Sequence, residues 1–245
     1  MSRSNNTELI NPSKRFYEWV GSKGCLKYFD KNKGEKGENV FVELPFTFLV
    51  LDKLATIKGY SDADESGFWS NEIRNIKTDP FTIRTKKGEK ATGLYKDLAW
   101  VLNSGACYSQ SVYIAFYDEV KNLQIGNFQI HGSAIGEWIT FCKGKDIYKN
   151  AITISGANKA KKGATEYFVP VYKLTPVSGE TEAKAIALDK ELQEYLSAYF
   201  KRNSNYAEPI EKEVESKDII MDKQREDIAV LEPVDSFAAT DDLPF

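Results

Sequence analysis

The sequence has little of what most enzymes use for catalysis. Its 245 residues include a single histidine, His131, and no carboxylate or nucleophile stands at a spacing that would make it a catalytic partner. A phosphate-binding GxxxxGK[ST] loop, an HExxH pair and a GxSxG nucleophile elbow are also missing. We therefore predict a protein that is not an enzyme and that needs no cofactor.

Cysteine is scarce as well. Cys25, Cys107 and Cys142 lie far apart, and no CxxC pair occurs. A disulfide framework is therefore not indicated, which favours a reducing cytoplasm as the location. Together with His131 the three cysteines have the composition of a zinc site, but the closely spaced ligand pair of a zinc knuckle is missing, so we predict no metal.

Long hydrophobic runs are missing too. No stretch of about 18 apolar residues suggests a membrane span. The first residues, MSRSNNTELINPSKR, lack the apolar segment of a secretory signal. We expect no contact with a membrane.

Charge is distributed unevenly along the chain. Residues 1–202 contain 29 Lys and Arg against 24 Asp and Glu, whereas residues 203–245 contain 4 against 12. A mildly basic body with an acidic tail suits a polyanion-binding protein whose tail competes for its own groove. It equally suits an ordinary domain with a solubilising tail.

The pattern of residues predicts a β-rich body at 1–178, an amphipathic helix at 179–202 and a disordered acidic tail at 203–245. Short helices are expected at 94–102 and 134–142, and flexible basic loops at 87–93 and 156–163. Strands are predicted at 14–20, 25–30, 39–51, 54–60, 68–76, 81–86, 111–118, 123–131, 151–155 and 167–174.

This order of elements predicts a mainly β fold, specifically a five-stranded barrel of the OB type with long insertions. The helix at 94–102 precedes the strand at 111–118, where the OB fold commonly has a connecting helix. A β-sandwich is the alternative, because counting strands does not separate a sandwich from an open barrel.

Aromatic residues alternate with lysine and arginine in several segments. Binding of single-stranded nucleic acid without sequence preference needs cations for phosphates and aromatic faces for bases. We predict a DNA-binding set made of Arg15, Tyr17, Trp19, Lys27, Tyr28, Phe68, Trp69, Arg74, Phe81, Arg84, Lys86, Lys87, Lys159, Lys161, Lys162 and Tyr167.

The last five residues form a compact recognition peptide, with apolar anchors at Leu243 and Phe245 and a stiffening Pro244 between them. Three carboxylates can pair with Lys or Arg on a receptor, namely those of Asp241 and Asp242 and the terminal carboxylate of Phe245. This DDLPF tip resembles the acidic tip of bacterial single-stranded DNA-binding proteins.

The basic body resembles the larger, diverged phage versions of that family. The resemblance implies that the body coats and protects single-stranded DNA during replication, recombination and repair. It also implies that the tip recruits the proteins of those processes, in a bacterial or phage-infected cytoplasm.

Two other classes of function remain open from the sequence. One is a recombination accessory protein that anneals complementary strands. The other is a β-rich structural or carbohydrate-binding protein whose tail only solubilises it. The sequence leaves homo-oligomer formation open as well.

Overall fold

The computed structural model describes residues 9–204, and strands dominate this part of the chain, which confirms the mainly β prediction. The strands form one mixed sheet in which only the β1–β9 pair is parallel. The strands are β1 Arg15–Val20, β2 Cys25–Asp30, β3 Glu38–Val42, β4 Phe46–Ser61, β5 Ser66–Ser70, β6 Phe81–Thr85, β7 Gly88–Gly93, β8 Ala106–Tyr117, β9 Leu123–Ile130, β10 Ala151–Lys162 and β11 Thr165–Thr175.

The sheet branches at β4, its longest strand. One edge of β4 pairs with β8 along most of its length. The other edge pairs with β10 near Phe46 and with β5 near Ser61. A single strand was predicted for 39–51, but the chain forms β3 and β4 there, because Pro45 has no N–H to donate to a ladder.

The main path of the sheet runs β3-β2-β1-β9-β8-β4-β5-β6-β7. Its two end strands do not pair with each other within residues 9–204, so the sheet is not closed. The predicted five-stranded OB barrel is therefore not confirmed. The described strands also form one sheet rather than the two of a sandwich.

Alternation along the strands gives the sheet two distinct faces. The inner face holds the main apolar core, which includes the fully buried Phe48 and Phe128. A second inner core lies under the β4–β7 end and includes Ile57. We call the opposite side the outer face. Glu18 points to it because its neighbours Tyr17 and Trp19 point inward, and Lys58 points to it because Ile57 points inward.

Helix α3, Gly179–Ser204, packs on part of the outer face and confirms the predicted amphipathic helix. Its Leu192 and Leu196 are completely buried in a cluster with Leu54 and Ile125. The apolar clusters under this helix do not include Tyr60 or Trp69, which lie farther along the strands.

Side-chain hydrogen bonds fix α3 in place. Arg74 Nη1 donates to Asp52 Oδ2 at 2.9 Å, and Gln193 Nε2 of the helix donates to the same oxygen at 3.2 Å. The guanidinium of Arg74 also lies 5.1 Å from the ring centre of Phe200. Asp52 therefore connects the sheet, the segment after β5 and the helix.

Both predicted basic loops form strands instead. Residues 88–93 are β7, and residues 156–162 belong to β10, which forms a long hairpin with β11. The turn that joins β10 to β11 contains Gly163, whose φ of 59° suits a tight turn.

The shorter helices lie close to their predicted positions. A 3₁₀ turn at Tyr95–Asp97 and α1 at Ala99–Leu102 replace the continuous helix predicted for 94–102. Helix α2, Ile135–Cys142, confirms the helix predicted at 134–142. No helix in the described part of the chain combines the length and apolar character needed to cross a membrane.

Candidate nucleic-acid interface

Trp69 lies at the centre of the open part of the outer face. Cross-strand pairing places it directly opposite Lys58 on β4 and opposite Arg84 on β6. Directly paired residues point to the same face of a sheet, so a cation flanks the indole ring on each side. Trp69 is 43% exposed to solvent.

Tyr60 is the second exposed ring of this region, with an exposed fraction of 53%. It lies two residues after Lys58, on the same face, and its cross-strand partner is Gly67. Tyr60 and Trp69 are therefore diagonal neighbours with no side chain between them, at a typical separation of about 7–8 Å or less. We call Tyr60 and Trp69 the ring pair.

The two cations beside the ring pair differ in their environment. Lys58 donates a hydrogen bond to Gln129 Oε1 on β9, and burial lowers its pKa, although Glu18 and Glu72 partly oppose this effect. Arg84 is exposed, and its Nη2 lies 3.7 Å from Glu89 Oε2. Such a distance makes a loose ion pair, which a phosphate can replace.

The outer face continues from Gln129 towards the other end of the sheet. Gln129 is paired with Glu18 on β1, Glu18 with Lys27 on β2, and Lys27 with Phe41 on β3. Lys27 Nζ lies 3.3 Å from Glu18 Oε2, and Phe41 is 46% exposed. The outer-face track is formed by Phe41, Lys27, Glu18, Gln129, Lys58, Tyr60, Trp69 and Arg84.

The track crosses the strands instead of following one of them. It extends from β3 to β6, which are separated by seven strand spacings in the sheet. At roughly 4.8 Å per spacing its contour length is about 34 Å. Helix α3 lies on the same face, beside the track.

Five predicted stacking rings are buried, and their assignment is corrected to core packing. Tyr17 and Trp19 share one face of β1, and that face is the inner one. Trp19 Nε1 donates to Phe168 O at 2.9 Å, which uses its only polar atom. These rings are not available to bases in this fold; they are Tyr17, Trp19, Tyr28, Phe68 and Phe81.

Two of the predicted cations have structural partners away from the track. Arg15 Nη2 lies 2.6 Å from Glu119 Oε2, and its guanidinium lies 4.4 Å from the ring centre of Tyr28. Arg74 is engaged with Asp52 under α3, as described above. Both therefore contribute to the fold, and neither lies with the ring pair.

The basic turn between β6 and β7 is partly neutralised by an acidic loop. Asp64, in the loop between β4 and β5, lies 3.5 Å from Lys87 Nζ and 2.7 Å from Lys90 Nζ. The hydrogen bond from Lys90 lowers the pKa of Asp64 below its ordinary value, with a further bond from Thr85. Lys87 is therefore paired, whereas Lys86 is exposed beside it.

The β10–β11 hairpin extends past its pairing with β4 as an arm, which we define as residues 156–171. The arm begins beside the β1–β2 turn, where Phe168 N donates to Gly21 O at 2.8 Å. Lys159, Lys161 and Lys162 are all exposed on the arm, but the strand alternation directs Lys162, with Tyr167, to the opposite side. The arm is thus a basic projection anchored beside the β1–β2 turn.

Sequence reasoning missed Tyr60 and Phe41, which complete the track. Both were assigned to strands, and the alternation in Lys58-Gly59-Tyr60 carried the signal that Tyr60 shares a face with a lysine. It also missed Trp100, which is 59% exposed on α1. Because α1 packs on the inner face through Val101, Trp100 lies on the far side of the sheet from Trp69.

The remaining predictions concern metals and the tip. Within residues 9–204 no group of three or more His, Cys, Asp or Glu side chains is arranged to hold a metal. The predicted docking residues Asp241, Asp242, Leu243, Pro244 and Phe245 lie outside the described residues. Comparison of the chain with protein-family models, with curated proteins and with solved structures gives no match.

Proposed function

We propose that the protein binds single-stranded DNA without sequence preference along the outer-face track. The observation that supports this most strongly is the exposed ring pair, Tyr60 and Trp69, with Arg84 and Lys58 beside it. Rings that stack on bases and cations that pair with phosphates are the two components of such binding. No chemical step is part of this proposal.

The geometry of the track favours a single strand over a duplex. A ring on the face of a sheet can stack only on a base whose own face is free, and in a duplex that face is covered by the neighbouring base pairs. A track of about 34 Å holds on the order of 5–10 nucleotides, depending on how far the strand is stretched. The exposed Lys159 and Lys161 of the arm are further cations that can pair with phosphates.

The acidic tip extends the proposal to partner proteins. By its likeness to the tip of bacterial single-stranded DNA-binding proteins, DDLPF docks on proteins of replication, recombination and repair. The body then protects the strand while the tip recruits those proteins in the cytoplasm of a bacterial or phage-infected cell. An OB-type barrel is not required for this function, because an open sheet presents rings and cations equally well.

The test is a titration of labelled single-stranded DNA, duplex DNA and RNA by fluorescence anisotropy over a range of salt concentrations. We expect the tightest binding to single-stranded DNA, similar for different sequences. The logarithm of affinity should fall linearly with the logarithm of salt concentration, because bound cations are released from the phosphates. Binding that ignores salt, or equal affinity for the duplex, would contradict the proposal.

A carbohydrate-binding protein is the second candidate, and the same ring pair favours it. Exposed tyrosine and tryptophan rings can also pack against the apolar faces of sugars. Sugar binding is not driven by the release of counterions, so the salt series separates the two functions. A strand-annealing activity, the third possibility, would appear as faster pairing of complementary strands when the protein is added.

A further inference from the structure

Three strands of the sheet pair with only one other strand among the described residues. β3 pairs only with β2, β7 only with β6, and β11 only with β10. An unpaired edge presents a row of N–H and C=O groups that can pair with another strand, and proteins usually protect such edges with charges, proline or bulges.

Two of these edges are protected in that way. β7 carries Glu89 and Lys90 in its middle, and a register shift in its pairing with β6 disturbs the ladder. β11 carries Pro170, which has no N–H to offer, as well as Glu166 and Lys173. Both edges therefore discourage pairing with a further strand.

The β3 edge has no such protection along its middle. Residues 39–42 read Asn-Val-Phe-Val and contain neither a charge nor a proline. Phe29 on β2 is paired with Asn39, and Lys27 with Phe41, so Phe29 and Phe41 are diagonal neighbours on the outer face. They are 52% and 46% exposed beside the free edge, and Lys23 Nζ lies 3.7 Å from the ring centre of Phe41.

We propose that β3 pairs antiparallel with β3 of a second copy of the chain, which continues the sheet across a two-fold axis. A two-fold interface uses the same patch on both copies, and an antiparallel pair of identical strands has this symmetry. The pairing brings Phe29 and Phe41 of both copies together on the outer face. It also brings Lys36, before the strand, close to Glu43, after the strand, of the other copy.

The size of the surface sets the strength of this contact. A strand pair over five residues with two exposed phenylalanines per copy buries less than the roughly 1,200 Å² of a stable complex. We therefore expect a weak, reversible dimer. Dimer formation will depend on protein concentration.

The dimer has a consequence for the outer-face track, and this part of the inference rests on the proposed function. A two-fold axis perpendicular to the sheet keeps both outer faces on the same side. Phe41 lies at the β3 end of the track, so the two tracks meet end to end at the new strand pair. A dimer would then offer a continuous site about twice as long as that of one copy.

Sedimentation velocity of the full chain, without DNA, tests the dimer. Over roughly 1–200 µM we expect a shift from monomer to dimer. Phe41→Lys and, as a second variant, Asn39→Lys place a charge on the edge and should weaken the dimer at least tenfold. Tyr148→Lys is the matched control, because Tyr148 is 54% exposed in the segment between α2 and β10, and it should dimerise like the wild type. Circular dichroism confirms that each variant is folded.

A wild-type protein that stays monomeric throughout this concentration range would overturn the proposal. Folded Phe41→Lys and Asn39→Lys variants that dimerise as tightly as the wild type would also overturn it. Titration with a short and a twice longer oligo(dT) tests the joined track. We expect a gain in affinity for the longer strand over the shorter one, and folded Asn39→Lys, whose substitution lies on the β3 edge but outside the track, should lose that gain. A dimer that does not bind single-stranded DNA refutes the proposed function alone, and a monomer that binds it refutes the dimer alone.

Discussion

Replacing Trp69 by alanine should weaken binding of single-stranded DNA without unfolding the protein. Stacking of one base on an aromatic ring contributes about 1–3 kcal/mol, which corresponds to an increase in the dissociation constant of about 5- to 150-fold. Within residues 9–204 the indole of Trp69 has no hydrogen-bond partner, and the residue is 43% exposed. The substitution therefore removes a stacking surface and little of the core.

The matched control is Trp100→Ala. Trp100 is a second exposed tryptophan, but it lies on α1, on the far side of the sheet. Its removal should leave affinity within about twofold of the wild type. The salt dependence of binding should be similar in all three proteins, because neither substitution removes a cation.

Fluorescence gives an independent measurement for the same pair of variants. The chain has four tryptophans, and Trp19 and Trp138 are buried. Quenching on addition of oligo(dT) should therefore come mainly from Trp69 and persist in Trp100→Ala. Equal affinity and equal quenching in Trp69→Ala and the wild type would refute the assignment of the ring pair.

Three further predictions concern the arm, the segment after β5 and the tip. Replacing Lys159 and Lys161 by alanine should flatten the slope of log affinity against log salt by up to about 1.4, at roughly 0.7 per phosphate contact, whereas the same change at Lys143 and Lys149 should not. Burial raises the pKa of Glu72 above its ordinary value of 4.5, so the wild type loses stability as the pH rises from 4.5 through the raised pKa. Glu72→Gln removes the buried charge and should raise the melting temperature at pH 7 but not at pH 4. Deletion of Phe245 should abolish capture of replication proteins from the cognate cell and leave single-stranded DNA affinity unchanged; an unchanged set of captured proteins would mean that the tip does not dock.

The sequence predicted the strands well because their alternation is strong. β2 lies at its predicted residues, and α3 follows the apolar stripe that includes Leu192 and Leu196. What the pattern did not reveal was how the strands pair. The branch at β4 and the parallel β1–β9 pair depend on contacts between residues far apart in the chain, which local patterns do not encode.

For the site, the sequence identified alternating faces but not which face is covered. Tyr17 and Trp69 occur in similar contexts of aromatic and basic residues, yet one is in the core and the other is exposed. The difference arises from packing: the rings of Tyr28, Phe46 and Phe116 surround Tyr17 on the inner face, whereas the apolar cluster under α3 does not include Trp69. Pairing of Lys87 with Asp64 was hidden for the same reason, because their loops meet only in the folded sheet.

The most direct test of the account is to map where single-stranded DNA contacts the protein. Ultraviolet cross-linking of oligo(dT) to the full chain, followed by mass spectrometry of the peptides, identifies the aromatic residues next to bases. The account predicts cross-links at Tyr60, Trp69 and Phe41, and none at Trp100 or Tyr148, which are equally exposed elsewhere. Cross-links at Trp100 or Tyr148 without any at the ring pair would contradict it.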